Sequence, residues 1–195
     1  IMGFYGTECG NILGLGGAFF AALTGMSLLA GEEGGHTAEF LLTHPVSRGQ
    51  AAAEKLTALA AMILGLNLIC FACGAGSILG IGEEAEWQNL MKYHGVQLLM
   101  QLEIGGICFG ISSLLRRNGY GLAMGLAAML YFLGLFINLD AGLDGLRFVT
   151  PYYYADAARV FSGEALAGPV LSGCALGLLG AGFGLWRYAR KDIAA

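Results

Sequence analysis

The chain has 195 residues, 56% of them hydrophobic and only 12% charged, with a mean hydropathy of +0.66. A soluble domain carries about twice that charged fraction, so the composition argues for an integral membrane protein of helical type. The net charge is −4, and no basic tract offers a footing for nucleic acid. Glycine is abundant at 33 residues and proline scarce at 3, a balance that suits close-packed membrane helices better than loops.

Five apolar runs approach the length of about 20 residues that a bilayer requires, and that length decides for helices over strands. The first covers 11–30, "NILGLGGAFFAALTGMSLLA". A polar stretch, "GEEGGHTAEFLLTHPVSRGQ", then separates it from the second. Gly34-Gly35 breaks the preceding helix, and "HTAEFLLTH" has room for about two turns before Pro45 pushes its predecessor out of the α region. Ala38, Leu41 and Leu42 fall at i, i+3 and i+4 and share an apolar face. Ser47-Arg-Gly-Gln50 has the capping-box pattern and starts the next span. A short helix of this kind either lies on the lipid surface or fills a groove on a partner. Surface helices are usually rich in Lys and Arg, whereas this one offers Glu39 and His36, which favours the partner.

The second span, 51–79, is long enough to tilt or to extend past the bilayer. It contains Cys70-Phe-Ala-Cys73. This is CxxC spacing, but no second ligand pair accompanies it. Four of the five cysteines lie in apolar runs, where Cys acts as a small hydrophobe, and no disulfide framework emerges. The third span, 93–115, holds Glu103, the one carboxylate deep within a span. A charge at that depth is costly and faces protein or water. Gly106 and Gly110 share its face and predict close helix contact there, while His94, Gln97 and Gln101 form a polar stripe on the other side. Glu103, Gln97 and Gln101 are therefore candidates for a transport path, with hydrogen bonding to a neighbouring helix as the structural alternative for Glu103.

A fourth span at 120–137 leads into a segment, 138–168, that contains Thr150-Pro151. Thr can cap and Pro suits the first helical position, so Pro151, Tyr152, Tyr153 and Tyr154 are expected to begin a short helix. Tyrosines suit the headgroup region, and this helix either lines the outer mouth or simply anchors there. The fifth span is 169–186. Small residues four apart recur at Gly10/Gly14, Gly106/Gly110, Gly121/Gly125, Gly173/Gly177 and Gly180/Gly184. Such pairs serve packing within a bundle or a seam between two.

Arg48, Lys55, Arg116, Arg117, Arg187, Arg190 and Lys191 fall in loops on one side, and Lys92, Arg147 and Arg159 on the other. The richer side is expected to be cytoplasmic, which includes the 34–48 loop and the C-terminus. "GEEAEW" and 138–168 then face outside. Five spans with the C-terminus inside place Ile1 outside without a signal peptide, so a sixth span is expected to precede it. Enzymatic motifs are missing: His36 and His44 lack H-E-x-x-H spacing, and no G-x-S-x-G elbow exists. No catalytic, metal or cofactor-binding residue is assigned. No lysine sits in a phosphate-binding loop, and no cytoplasmic stretch is long enough for a nucleotide-binding domain.

"EEGGHTAEFLLTHPVSRGQAAAEKL" resembles the first cytoplasmic loop of ABC-2 type permeases, the membrane subunits of one class of ABC exporters. Glu32, Glu33, Thr37, Glu39, Leu41, Leu42, Pro45, Val46, Ser47 and Arg48 occupy the places of that pattern. "ICFGISSLLRRNGYGLAMG" resembles the family's hairpin with an Arg-bearing turn, "FVTPYYYAD" the segment between the last two spans, and "WRYARKDI" the basic ending. The resemblance implies one all-α transmembrane permease domain over 1–195, six-spanned when intact. It also implies a coupling helix that docks an ATPase subunit through Thr37, Ala38, Glu39, Leu41, Leu42, Pro45, Ser47 and Arg48. ATP and Mg would then reside on two ATPase copies. A second permease subunit, identical or homologous, would complete a multi-pass assembly in a bacterial cell membrane. Two other classes remain open: a membrane scaffold for a cytoplasmic partner, and a proton-coupled carrier using Glu103.

Overall fold

A computed structural model describes residues 2–34, 47–164 and 166–191, with backbone alone for 2–4, 32–34 and 141. Every regular element among them is helical, and five helices are long and apolar enough to cross a membrane. The first crossing is one continuous rod built from α1 (Met2–Cys9), a π-helical stretch (Gly10–Gly16) and α2 (Gly17–Gly34). Cys9 and Gly17, at the two junctions, both keep right-handed helical dihedrals. Next come α3 (Arg48–Gly80), α4 (Trp87–Ser112) and α5 (Tyr120–Leu139), then a 3₁₀ turn (Ala141–Phe148), α6 (Pro151–Tyr154), α7 (Ala157–Ser162) and α8 (Ala167–Ala189). The five spans coincide with the five apolar runs. The bounds differ most at two starts: α4 begins at Trp87 rather than at residue 93 and ends at Ser112 rather than 115, and the first helix begins at Met2 rather than at residue 11. Glu8 interrupts the apolar run there, but Gly6 packs against Ala157 and Phe161, so tertiary contact extends the helix beyond what hydropathy marks.

α3 has 33 residues, about 50 Å of helix, which exceeds the ~30 Å hydrocarbon core. Its start is fixed by Ser47, whose Oγ accepts from the Gln50 amide at 3.2 Å. The capping box closes only halfway, since the Gln50 side chain donates to Glu54 instead. α7 ends at Gly163, whose φ of +73° lies in the left-handed region that glycine enters without steric cost.

α4 is the centre of the bundle. In its most apolar stretch 61% of the residues are buried, against 17% for α3, and it packs against α2, α3 and α8. Glycine makes this possible on two sides. A Cβ at Gly25 of α2 would lie 2.5 Å from the Gly105 carbonyl oxygen. On the opposite side, a Cβ at Gly106 or Gly110 would lie 2.5 Å from the carbonyl oxygen of Gly177 or Gly180 in α8. Backbone therefore meets backbone, the contact that small residues permit in lipid, where apolar burial gives helices no reason to associate. Gly173 and Gly184 continue the seam against Glu103 and Phe109. Gly10 and Gly14 face Tyr93 and Gln97. Gly121 and Gly125 of α5 differ, with no described atom within 4 Å of a Cβ built there. Gly177→Val is expected to destabilise the protein by about 1–3 kcal/mol through overpacking, read as a lowered unfolding temperature in detergent, while Gly125→Ala leaves that temperature unchanged or higher.

Candidate transport path and docking end

α4 carries the polar groups of the bundle, and its neighbours supply their partners. His94 Nε2 pairs with the Tyr5 hydroxyl at 2.8 Å, and the Tyr93 hydroxyl reaches the Gly6 carbonyl at 3.4 Å. One turn on, Gln97 Nε2 donates to the Ala155 carbonyl at 3.1 Å. Gln101 Nε2 donates to the Leu13 carbonyl in the π-helical stretch at 3.2 Å, and its Oε1 accepts from Asn67 Nδ2 of α3 at 2.7 Å. The Gln101 amide occupies the space a Cβ at Gly17 would need, so that position tolerates only glycine without rearrangement. Seven-residue π stretches are rare, and π geometry tends to occur at functional sites. No sequence signal marked this one beyond the density of glycines.

Glu103 looks the other way, as its glycine-lined face required. It is 3% exposed and accepts a 2.7 Å hydrogen bond at Oε2 from the Tyr154 hydroxyl. Burial, then the neighbouring Glu103 carboxyl, pushes the Tyr154 phenol above its ordinary pKa, so it remains a protonated donor. The three residues read together from sequence thus separate. Gln97 lines a cavity of about 250 Å³ bounded by the π-helical stretch, α5, α6 and α7. Glu103 lines a second, mostly apolar cavity of about 310 Å³ between α3, α4 and α8. Gln101 lines neither of these two.

α6 starts at Pro151 as expected, but Thr150 does not cap it. Its hydroxyl donates instead to the Leu130 carbonyl of α5 at 2.7 Å. Pro151, Tyr153 and Tyr154 are buried among protein atoms, so Tyr153 and Tyr154 face the bundle. Tyr153 contacts Glu164 through its hydroxyl and lies under the Arg159 guanidinium. Tyr152 is half-buried and packs edge-on against Tyr131 at 5.3 Å.

At the opposite end, the basic residues that set the predicted orientation converge. Arg48 Nη1 donates to the Lys191 carbonyl, Lys191 Nζ to Leu115 and Lys55 Nζ to Leu28, the last two at 2.6 Å. Thr37, Ala38, Glu39, Leu41, Leu42 and Pro45 lie outside the described residues, while the two stems of their loop lie within. Ser112, which motif reading passed over, holds the first stem. Its hydroxyl donates to the Met26 carbonyl at 2.6 Å and accepts from the Leu29 and Ala30 amides at 3.3 and 3.0 Å. It is a side chain inserted into the helical ladder just before the loop, a recognised cause of local bending. Ser47 and Arg48 hold the second stem.

A family model described as ABC-2 family transporter protein matches residues 10–143, more than half of the chain. The chain belongs to the ABC-2 transporter family. It is a multi-pass membrane permease of the ABC transporter type, a transport component without catalysis of its own, in a family that generally works with an ABC ATPase partner. No curated protein and no solved structure matches it. For this permease, Glu103→Leu strands the Tyr154 hydroxyl and Tyr154→Phe strands Glu103 Oε2, each at an expected cost of about 1–3 kcal/mol. Combining them is expected to restore part of that loss, with a coupling of about 0.5–3 kcal/mol in thermal unfolding of the four purified proteins.

Proposed function

We propose that this permease belongs to an ATP-driven exporter in which a separate ATPase subunit docks on the loop spanning 34–48. Thr37, Ala38, Glu39, Leu41, Leu42, Pro45, Ser47 and Arg48 form the docking face, with Leu41 and Leu42 as its apolar anchors. Two ATPase copies, carrying ATP and Mg, serve two permease subunits, and substrate passes between the bundles. The loop faces the cytoplasm by the excess of Lys and Arg at its end of the bundle.

The observation that carries this reading is the anchoring of both loop stems. Ser112 bonds the Leu29 and Ala30 amides before the loop, and Arg48 bonds the C-terminal end of α8 after it. A force applied at the loop would therefore reach α4 and α8 directly, rather than being lost in a slack connection.

Leu41→Asp combined with Leu42→Asp is expected to abolish co-purification with the ATPase subunit while membrane insertion persists. Undiminished co-purification of the double variant would contradict docking at this loop.

A further inference from the structure

The cavity of about 250 Å³ beside the π-helical stretch combines acceptors, an acid and aromatic rings, with no Lys, Arg or His among its described lining residues. Gln97 at its base is 2% exposed. The 3.1 Å bond from Nε2 to the Ala155 carbonyl fixes its amide orientation, because an oxygen there would face another oxygen. Oε1 is thereby turned toward Gly14, where it is buried without a hydrogen-bond partner among the described residues. The hydroxyl of Tyr152, on the same cavity, is likewise buried and unpartnered. Two buried polar atoms left unpaired at one polar cavity are a cost the fold retains, and a ligand with N–H donors removes it.

Charge narrows the class. Asp156 lines the cavity, and its Oδ1 caps α7 by accepting from the Arg159 amide at 3.1 Å. Among the described residues no cation pairs with its carboxylate: Arg147 is held by Asp144 at 2.7 Å and Arg159 by Glu164 at 2.9 Å. The Arg159 guanidinium also bonds the lining residue Asn138 at Oδ1, at 3.0 Å. The rings of Tyr131 and Tyr152 also line the space, and aromatic faces attract organic cations. We propose that this cavity binds a small organic cation, a protonated amine whose N–H groups reach Gln97 Oε1 and the Tyr152 hydroxyl while its charge faces Asp156. The proposal rests on the bundle alone, so it stands or falls separately from ATPase docking.

The test is calorimetric titration of the full chain in phosphatidylcholine nanodiscs with n-butylammonium and with 1-pentanol as its neutral isostere, against empty nanodiscs as the blank. Butylammonium is expected to bind saturably and about tenfold or more tighter than pentanol. Asp156→Asn keeps a good capping residue and is expected to weaken butylammonium about tenfold while leaving pentanol unchanged. Gln97→Leu, checked for unchanged helical content and elution volume, is expected to weaken it as well. No saturable butylammonium binding, equal affinity for pentanol, or undiminished binding by Asp156→Asn would each overturn the proposal.

Discussion

The structure depends on one constraint: a helix laden with polar side chains must find at least one partner for each of them inside an apolar bundle. α4 carries His94, Gln97, Gln101, Glu103 and Ser112, all buried. In lipid no water is available to satisfy them, so the surrounding helices have to come close enough to do so. Glycines on two sides allow that approach, with α2 meeting Gly105 and α8 meeting Gly106 and Gly110 at backbone distance. The order of the bundle follows from this requirement: α4 lies central, α2 and α8 lie tight against it, and α3, α5 and the far face of α8 expose apolar side chains toward lipid.

Much of that was legible in the residues because the relevant signals are local. Run lengths near 20 gave the five spans, and the spacing of Glu103 with Gly106 and Gly110 gave the direction of the carboxyl. Ser47 gave the start of α3. What escaped were features decided by tertiary contact. The π-helical register of Gly10–Gly16 accompanies the bond between Gln101 and Leu13, two segments far apart in the chain. Thr150 abandons its capping role because the Leu130 carbonyl lies within reach. Tyr154 turns inward to donate to the buried Glu103 carboxyl, and Tyr153 lies under Arg159 beside Glu164. Ser112 carried no motif at all, and its role appears only when the ladder of α2 is seen to accept a foreign hydroxyl. Of the residues proposed for docking, Thr37, Ala38, Glu39, Leu41, Leu42 and Pro45 were read from sequence alone and lie outside the described residues.

The two ends of the bundle differ in their chemistry. At one end, basic side chains close the carbonyls of α2, α8 and the turn after α4, and the stems of the 34–48 loop join that network. At the other, α6 and α7 fold back over the bundle and leave a polar cavity against the π-helical stretch. α4 runs between them and touches both, with Ser112 at the loop stem and Gln97 at the cavity. The proposed coupling to an ATPase at the loop depends on this connection through α4.

That connection is most directly tested at the Leu29 and Ala30 amides, which bond Ser112 where the first loop stem meets α4. Hydrogen exchange at these two amides, in the permease assembled with its ATPase subunit, can be compared between the ATP-bound and ADP-bound states. The expected result is a protection that changes with nucleotide state, while amides in the middle of α5 stay constant. Identical protection in both states of an assembly that hydrolyses ATP would contradict transmission through this stem.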